Sequence, residues 1–389
     1  MTEVLQLCIR YPPAPGGAET HVSSLTNSLV DLGHSVSVYS SDLYKEFPFT
    51  KLDSDKKTKV PVKRHRAYSL KDDLHYVFFP SLFSSMLKED FDIYHAHSYG
   101  YFHMNVASFF KHLKDKPLVI TPHFHPEWSM WGGKKRKMIR GFYDRAIGQT
   151  VLDSTDKIIG VSGNEISLLR ERFEIPDEKI EVIPNGIDPD EFEPIPEGDK
   201  FRESFDIEGN LILYTGRLAS NKGLLNLIDS MPKVLEEKPD TTFVCVGEDE
   251  GMEEQMKRKA RKLGVEDSLL ITGYIEDYDV FKSAYSAADI HVLPSEYEAF
   301  GIVLLEAMMC ETPCIGTDVG GVPEVIDKGE TGFIVDYGDI EGLASKILNL
   351  LRNPELRKKM GEKGRKRVLE NFTWKKVAKK VERVYEELV

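Results

Sequence analysis

Short apolar segments alternate with amphipathic stretches along the whole chain, and this pattern predicts strands followed by helices. The apolar segments are nearly uninterrupted, as in parallel strands that are covered on both faces. The first half predicts strands at Val4–Ile9, Ser35–Tyr39, Asp92–His95, Leu118–Thr121, Lys157–Val161 and Lys179–Pro184. The second half predicts strands at Leu211–Thr215, Thr242–Gly247, Leu269–Thr272, Asp289–Pro294 and Pro313–Gly316. We therefore expect an α/β protein with two doubly wound parallel sheets.

Amphipathic stretches with helical periodicity lie between these strands. They predict helices at Ala18–Leu32, Lys135–Leu152, Asn164–Phe173, Gly223–Glu236, Met252–Leu263, Val303–Met309 and Ile340–Leu351. Two more helices are expected after Asn353-Pro354, at Glu355–Glu370 and Trp374–Leu388. The last one has an apolar face, so we expect it to pack on another surface.

The chain of 389 residues is long enough for two domains. A boundary is visible at residues 188–199, where three prolines and six acidic residues occur without periodicity. We interpret this segment as a linker. The predicted domains are residues 1–190 and 191–372, followed by a C-terminal helix at residues 373–389.

Charge is distributed unevenly between these parts. The chain has 51 Lys and Arg against 64 Asp and Glu, a formal net charge of −13. Residues 1–190 hold 24 basic and 25 acidic residues, so the remainder has a net charge of −12. Ten of the eleven histidines lie in residues 1–190. A protein that binds duplex nucleic acid would present a basic face, so nucleic acid is disfavoured as the main partner.

The cysteine pattern and the hydropathy of the chain indicate the cellular compartment of the protein. The four cysteines are scattered and form neither a disulfide framework nor a metal-binding pattern. Apolar runs do not approach the ~20 residues that span a bilayer. These features predict a protein of the reducing cytoplasm.

Ligands of doubly wound sheets bind at the carboxyl ends of the strands, where helix N-termini direct free N–H groups. With two such sheets, we expect the site in the cleft between the domains.

Gly16 and Gly17 follow the first strand and open a helix, which lets the backbone approach an anion. The alternative is a plain tight turn. The pair does not belong to a G-x-G-x-x-G motif, which disfavours a dinucleotide-dependent dehydrogenase.

Two cations follow the first strand of the second half. Arg217 offers a planar fork, and Lys222, just before a helix, offers a point charge. Cations at a helix N-terminus oppose the helix dipole unless an anion binds there. The pair therefore predicts a pyrophosphate site, with solvated surface cations as the alternative.

The most specific segment is residues 294–308. Glu298 lies in the predicted strand-end loop, and Glu306 lies about one and a half turns inside the following helix. Each carboxylate can bind a diol, such as that of a ribose or a hexose. Glu306 lies in the apolar run Ile302–Met309, so we expect it to be largely buried and to have a partner.

Together these motifs resemble family 4 of the retaining glycosyltransferases, from one end of the chain to the other. The matching segments are Gly16-Gly-Ala-Glu19, Asn185-Gly-Ile-Asp188, Thr215-Gly-Arg217 with Lys222, Glu298 to Glu306 with Phe300-Gly301, and Gly320-Gly-Val-Pro-Glu324. The resemblance implies the GT-B fold, in which two Rossmann-like domains face each other across a cleft. It also implies that the closing helix near Trp374 crosses back to the first domain.

The resemblance also implies roles for the matching residues. Arg217 and Lys222 would bind the donor diphosphate, Glu306 the ribose and Glu298 the donor sugar. The backbone N–H groups that would hold sugar and phosphate belong to Phe300, Gly301, Ile302 and Val303. Gly16 and Gly17 would complete the donor site.

Histidines end two strands of the first half, as His95-Ala-His97 and as Thr121-Pro-His123-Phe-His125. Alternate residues of a strand share a face, so the rings are expected to converge. They predict polar acceptor chemistry, with a metal site as the less favoured alternative. In the resembled family, the histidine that matches His123 lies beside the donor sugar and the acceptor hydroxyl. We assign this role to His123, with His97 and His125 on the acceptor side.

The sequence thus predicts an anomer-retaining hexosyltransferase. The donor would be a UDP- or GDP-sugar, with a mannosyl type preferred, and the acceptor a hydroxyl of a glycan or a lipid-linked sugar. The expected catalytic residues are His123, Arg217, Lys222 and Glu298. No cofactor is required; Mg²⁺ is allowed, but no D-x-D motif lies in a metal-binding context. A sugar-nucleotide epimerase and a non-catalytic sugar-nucleotide binder remain alternatives.

Residues 127–145 combine two of the three tryptophans with six basic residues. Tryptophan beside lysine and arginine suits a lipid headgroup interface. One interpretation is peripheral contact of residues 128–145 with the inner face of a membrane. The other, given equal weight, is a solvated basic helix with tryptophans at the rim of the cleft.

Overall fold

The computed structural model describes residues 1–46, 49–54, 57–69, 76–124 and 133–389, apart from the side chains of residues 133–136. These residues form two compact units. Unit 1 comprises Met1–Gly186 and Trp374–Val389, and unit 2 comprises Ile187–Thr373. The chain therefore leaves unit 1 once and returns to it with its last helix.

Unit 1 is built on a parallel sheet that has seven strands in the described residues. The strands are β1 (Glu3–Leu7), β2 (Ser35–Ser41), β3 (Val62–His65), β4 (Ile93–His97), β5 (Leu118–Thr121), β6 (Lys157–Gly160) and β7 (Ile180–Val182). Their spatial order is β7-β6-β5-β4-β1-β2-β3. This is the Rossmann order extended by one strand, and it reverses between β1 and β4. Two short antiparallel pairs join Leu43–Lys45 to Thr50–Lys51 and Tyr68–Ser69 to Val77–Phe78.

Unit 2 is described throughout and repeats this plan with six parallel strands. They are β8 (Asn210–Thr215), β9 (Thr241–Val246), β10 (Leu269–Gly273), β11 (Ile290–Leu293), β12 (Cys314–Thr317) and β13 (Gly332–Val335). Their order is β10-β9-β8-β11-β12-β13, which reverses between β8 and β11. Residues 211–214 of β8 are fully buried, which accounts for their uninterrupted apolar pattern. The prediction of two doubly wound α/β sheets is confirmed.

Helices pack against the strands in both units. In unit 1 they are α1 (Gly17–Asp31), α2 (Ser81–Lys88), α3 (Phe102–Lys114), α4 (Gly133–Tyr143), α5 (Gln149–Ser154) and α6 (Gly163–Arg170). In unit 2 they are α7 (Asp199–Phe205), α8 (Leu224–Glu237), α9 (Glu253–Leu263), α10 (Tyr278–Ala287), α11 (Ile302–Met309), α12 (Val322–Val325), α13 (Ile340–Arg352) and α14 (Pro354–Asn371). The last helix, α15 (Trp374–Glu386), belongs to unit 1.

The helix expected at Lys135–Leu152 is divided in the structure. A π-helical segment, Asp144–Gly148, lies between α4 and α5. The Asp144 carboxylate accepts hydrogen bonds from the Tyr99 hydroxyl at 2.9 Å and from Arg172 at 3.2 Å. These two partners satisfy an acidic side chain that is buried at the division.

The segment at residues 188–199, predicted to be a linker, directly follows the division between the units and belongs to unit 2. Asp188 caps a short 3₁₀ helix, Pro189–Phe192, by accepting a hydrogen bond from the Asp190 N–H. The Phe192 ring is buried and contacts Tyr285, and Glu191 accepts a hydrogen bond from Tyr278. The Phe192 ring and the Glu191–Tyr278 hydrogen bond thus both hold this acidic, proline-rich segment to unit 2.

Helix α15 is held to unit 1 at both of its ends. At its start, Trp374 packs so closely on Gly186 that a Cβ there would lie 2.8 Å from the indole, so only glycine fits. Near its end, the buried Tyr385 hydroxyl bonds with His95 Nδ1 at 2.6 Å and accepts from Gln6 Nε2 at 3.2 Å. The apolar pattern that predicts a packed helix at Trp374–Leu388 thus reflects burial in the unit 1 core.

Candidate active site

The sequence motifs of unit 2 lie at the carboxyl ends of neighbouring strands. Residues 216–223 follow β8, residues 294–301 follow β11 and residues 318–321 follow β12. The strand order reverses between β8 and β11, and ligands of open α/β sheets bind at this switch point. The three loops therefore form one candidate ligand site at one edge of the sheet.

Backbone contacts join these loops to one another. The Gly321 N–H donates to the Glu298 carbonyl at 3.0 Å, and the Glu296 N–H donates to the Asn221 carbonyl at 2.9 Å. Gly320 has a φ of 54°, and a Cβ on it would lie only 1.6 Å from the Glu298 carbonyl oxygen. The Gly320-Gly321 motif therefore positions the loop that carries Glu298.

Lys222 and Glu298 form an ion pair at the centre of these loops. Lys222 Nζ lies 2.7 Å from Glu298 Oε2, and the two side chains are 14% and 18% exposed. Partial burial strengthens their attraction relative to a pair in open solvent. The structure thus brings together two residues that the sequence predicts for one site.

Arg217 lies in a more open position. Its side chain is 56% exposed, and its Nη1 donates to both carboxylate oxygens of Glu250, at 2.7 and 2.9 Å. Such an exposed pair contributes little to stability, so the guanidinium can exchange its partner at small cost.

Glu306 is linked to the end of β8 through side chains. The Tyr285 hydroxyl contacts Glu306 Oε2 and lies 3.0 Å from Thr215 Oγ1. Thr215 Oγ1 lies in turn 2.9 Å from His291 Nε2. Part of the Glu306 side chain remains exposed to solvent. Desolvation of its carboxyl nevertheless raises the pKa to about 7. The expected partner of Glu306 is thus Tyr285.

Helix α11 begins directly after Gly301. Among the described residues, no side chain accepts a hydrogen bond from the N–H groups at this N-terminus. The Phe300 ring is buried against Phe372, so only its backbone is available to a ligand. Ile302 and Val303 are the first two residues of the helix. Uncapped N–H groups at a helix N-terminus attract anions.

Gly16 and Gly17 lie in unit 1, at the N-terminus of α1, which has no side-chain cap among the described residues. Beside them, the buried Glu19 pairs with Arg10 at 2.7 Å. Burial raises the pKa of Glu19, and Arg10 opposes this shift. Glu19 is thus a structural anchor for the start of α1.

The histidines of unit 1 converge as expected, with the His95 and His97 ring centroids 4.2 Å apart. Both nitrogens of His95 have partners, because Nδ1 bonds with the Tyr385 hydroxyl and Nε2 lies 2.8 Å from Thr121 Oγ1. His95 therefore has a structural role. His125 lies outside the described residues.

His97 and His123 are joined by a third ring that sequence reasoning missed, His21. The His21 centroid lies 4.8 Å from that of His123 and 5.5 Å from that of His97. Asn185 Oδ1 lies 2.6 Å from His21 Nδ1, and Gln6 Oε1 lies 2.6 Å from His97 Nε2. His21 stands two residues after the Gly16–Glu19 motif, and Asn185 opens another motif, so both had a signal in the sequence.

The loop that carries His123 is fixed by a buried carboxylate, Glu165. Its two oxygens accept from the Phe124 N–H at 2.5 Å and from the Val161 N–H at 2.6 Å. His123 itself has a φ of 44°, a left-handed conformation that is uncommon for a residue other than glycine. The ends of β5 and β6 are thus tied together next to the histidines.

Two family models together cover both units. The model described as "Glycosyltransferase Family 4" matches residues 15–191, and the model described as "Glycosyl transferases group 1" matches residues 197–367. The chain belongs to glycosyltransferase family 4. This glycosyltransferase is therefore an enzyme, and its two Rossmann-like units are those of the GT-B class.

Similar proteins are named as glycosyltransferases or synthases. The glycosyltransferase is 27% identical to the mannosylfructose-phosphate synthase of Agrobacterium fabrum, over 94% of this chain and 85% of that protein. It is 26% identical to the phosphatidyl-myo-inositol mannosyltransferase of Mycolicibacterium smegmatis, over 96% and 90%. Among solved structures, HepE of Anabaena in complex with UDP-glucose has a TM-score of 0.75 at 19% identity, with 100% of both chains covered.

The segment predicted to contact a membrane is only partly described. Trp128 and Trp131 lie outside the described residues. On α4, the apolar side chains of Met138, Ile139 and Phe142 are 71%, 43% and 71% exposed. Within the described part of the glycosyltransferase, no helix is long and apolar enough to cross a bilayer.

Proposed function

We propose that this glycosyltransferase transfers a hexosyl group from a nucleoside diphosphate sugar to a hydroxyl acceptor, with retention of the anomeric configuration. The observation that carries the proposal is the Lys222–Glu298 ion pair, 2.7 Å long, beside the uncapped N-terminus of α11. A cation, a carboxylate and free N–H groups at one strand edge match a ligand that has both phosphate and hydroxyl groups.

The diphosphate is assigned to Lys222, Arg217 and the start of α11. Lys222 supplies a partly buried point charge, and Arg217 can turn its planar fork from Glu250 to a phosphate. The backbone N–H groups of Ile302 and Val303 add the positive end of a helix dipole. In bond cleavage these groups stabilise the charge that develops on the leaving phosphate oxygen.

The sugars of the donor are assigned to the two carboxylates. Glu306 accepts from the ribose hydroxyls, and Glu298 accepts from hydroxyls of the transferred hexose. The two carboxylates have different neighbours, which supports assigning them to different sugars. Glu298 contacts the Lys222 ammonium, whereas Glu306 contacts the Tyr285 hydroxyl. A UDP- or GDP-sugar is proposed as the donor, and UDP-glucose in HepE supports a nucleotide sugar.

The acceptor is assigned to the histidines of unit 1. His123 and His97 are proposed to receive the acceptor hydroxyl, together with His125, while Gly16 and Gly17 adjoin the donor. Burial lowers the pKa of His97 and of His123 well below the usual value, so both are neutral near pH 7. A neutral imidazole can accept a hydrogen bond from a hydroxyl.

Retention follows from attack on the face that the diphosphate leaves. The bond between the anomeric carbon and the phosphate oxygen breaks, and the acceptor oxygen forms a new bond to the same carbon. The acceptor proton passes to the leaving phosphate oxygen, so no separate base is needed. The residues of both units act by positioning and by charge stabilisation.

A glycan or lipid-linked hydroxyl is proposed as the acceptor, and the donor sugar is proposed to be of the mannosyl type. The names of the mannosylfructose-phosphate synthase and the phosphatidyl-myo-inositol mannosyltransferase support a mannosyl donor. The exposed apolar side chains of α4, beside Lys137 and Arg145, support contact with an anionic membrane surface at the cytoplasmic side.

Two measurements test this function. Thermal shift with a panel of nucleotide sugars should show stabilisation by one of them, since a ligand at 100 times its Kd stabilises by ~2.7 kcal/mol. Product analysis by NMR should then show a new glycosidic bond with the configuration of the donor. An altered free nucleotide sugar without transfer would indicate an epimerase, and binding without any product would indicate a non-catalytic binder.

A further inference from the structure

Three imidazoles of unit 1 lie close together, and each has a buried nitrogen without a hydrogen-bond partner in the described part of the chain. One nitrogen from each of His21, His97 and His123 lies within 4.8 Å of the other two. Among the described residues, His21 Nε2, His97 Nδ1 and His123 Nε2 are all buried without a hydrogen-bond partner. Buried polar atoms are rarely left unpaired, so this convergence points to a missing ligand.

The opposite nitrogens of His21 and His97 are already bonded, and this determines where the protons of these two rings lie. Asn185 Oδ1 accepts from His21 Nδ1–H at 2.6 Å, so His21 Nε2 carries a lone pair. Gln6 Oε1 accepts from His97 Nε2–H at 2.6 Å, so His97 Nδ1 carries a lone pair. The Gln6 amide is oriented by its other end, where Nε2 donates to the Tyr385 hydroxyl. A carbonyl that holds the far nitrogen is the usual arrangement behind a metal-bound histidine.

Neutral imidazoles are ligands for Zn²⁺ and for similar late transition ions. The lone pairs on His21 Nε2 and His97 Nδ1, opposite their bonded nitrogens, suit this coordination.

We propose that His21, His97 and His123 form a binding site for a late transition metal ion, with Zn²⁺ as the probe ion. Three protein nitrogens leave the fourth position of a tetrahedral ion for water or another oxygen ligand. Zn–N bonds are ~2.0–2.1 Å long, so binding draws the three nitrogens closer together than they are now. His123 follows β5 in a loop and is less buried than the other two.

The metal site shares His97 and His123 with the proposed acceptor site, but the two proposals are tested by separate measurements. Metal binding is measured on the full chain without any sugar nucleotide. Absence of metal binding would leave the transfer proposal intact, and absence of transfer would leave the metal site intact.

The first experiment uses the full chain without a polyhistidine tag, stripped of metal with a chelator. Calorimetric titration with Zn²⁺ should show one ion per chain, and Co²⁺ should give the visible absorption of a tetrahedral nitrogen site. His21→Ala and His97→Ala should each abolish both signals. The matched control is His112→Ala, an exposed histidine on α3 of the same unit, which should bind as the wild type does.

A second variant tests the support of the ligands. Asn185→Ala keeps all three imidazoles but releases His21 Nδ1–H, so the affinity for Zn²⁺ should fall by about 10–100-fold with the stoichiometry unchanged. Circular dichroism and thermal unfolding of the metal-free variants check that each one folds. X-ray absorption of the zinc-loaded wild type should show three imidazoles, and this result does not depend on any variant.

Three results would overturn the proposal. The first is a wild type that binds no Zn²⁺ at one equivalent. The second is Zn²⁺ that stays bound in folded His21→Ala and His97→Ala proteins, which would identify an adventitious ion only. The third is an absorption spectrum with fewer than three imidazoles around the metal.

Discussion

Lys222 Nζ lies 2.7 Å from Glu298 Oε2, so a proposed phosphate ligand and a proposed sugar ligand neutralise each other before any donor arrives. In the proposed reaction the donor separates this pair, and its phosphate replaces the carboxylate as partner of the lysine. The pair keeps both side chains in place and prevents an uncompensated charge in a partly buried site.

Replacement of the diphosphate ligands should reduce catalysis. We expect Lys222→Ala and Arg217→Ala each to lower kcat/KM by about 10²–10³-fold, the loss that follows removal of one preorganised charge donor. The control is Lys233→Ala, which removes an exposed cation paired with Glu341 on the same unit. Wild-type rates in either Lys222→Ala or Arg217→Ala would refute their assignment.

The two carboxylates should be separable by their effects on nucleotide binding. Glu306→Ala should weaken binding of the bare nucleoside diphosphate, because the ribose loses its acceptor. Glu298→Ala should leave that affinity nearly unchanged and reduce sugar transfer. Calorimetry with the bare nucleotide measures both, and equal losses in the two variants would contradict the proposed division.

Glu306 should also make the protein sensitive to pH. Its pKa is raised from 4.5 to about 7, so keeping it ionised destabilises the ligand-free fold as the pH rises from about 4.5 through 7. Glu306→Gln should therefore be more stable than the wild type at pH 8, and this advantage should shrink by pH 5. Thermal unfolding at both pH values measures the difference. An equal difference at the two pH values would exclude an elevated pKa.

Replacement of Gly320 should reduce catalysis, whereas replacement of Gly329 should not. Both have positive φ, 54° and 85°, but a Cβ on Gly329 meets nothing within 4 Å, whereas one on Gly320 meets the Glu298 carbonyl. Each alanine substitution should lose about 1–2 kcal/mol of stability from the left-handed backbone. Only Gly320→Ala should also lower kcat, because it displaces Glu298. Equal kinetics in the two variants would argue against this positioning role.

Contact with a membrane can be tested by liposome flotation. The wild type should bind anionic vesicles at low salt and detach as salt is added, since each basic residue near the surface contributes ~1 kcal/mol. Lys137→Glu combined with Arg145→Glu should abolish binding. Lys358→Glu with Lys359→Glu makes the same charge change on the exposed side of α14 and should leave binding intact. A wild type that ignores anionic vesicles would favour the solvated helix.

The fold could be predicted from the sequence where strands are buried on both faces. β8 and β9 contain continuous apolar runs at residues 211–214 and 243–246, and a short run of this kind between turns is typical of a central parallel strand. β3 was missed because Val62-Lys-Arg-His65 has no apolar run at this edge of the sheet. The division of the helix at Asp144 was also missed, because it depends on contacts with Tyr99 and Arg172 that are distant in the sequence.

The candidate site could be predicted in its components but not in its pairings. The motifs indicated Lys222, Glu298 and Glu306, yet only the fold pairs Lys222 with Glu298 and Glu306 with Tyr285. His21 was missed because it lies inside an amphipathic helix, where a buried histidine resembles any other core residue. Convergence of side chains from separate strands follows from topology rather than from local sequence.

The return of α15 to unit 1 gives the polypeptide an unusual order of assembly during synthesis. Residues 1–186 leave the ribosome first, but the helix that covers Gln6 and His95 follows only after the whole of unit 2. Unit 2 is continuous in the chain and can complete its fold while unit 1 still exposes that apolar surface. A chain that stops before residue 374 would therefore leave one unit intact and the other open to chaperones and proteases.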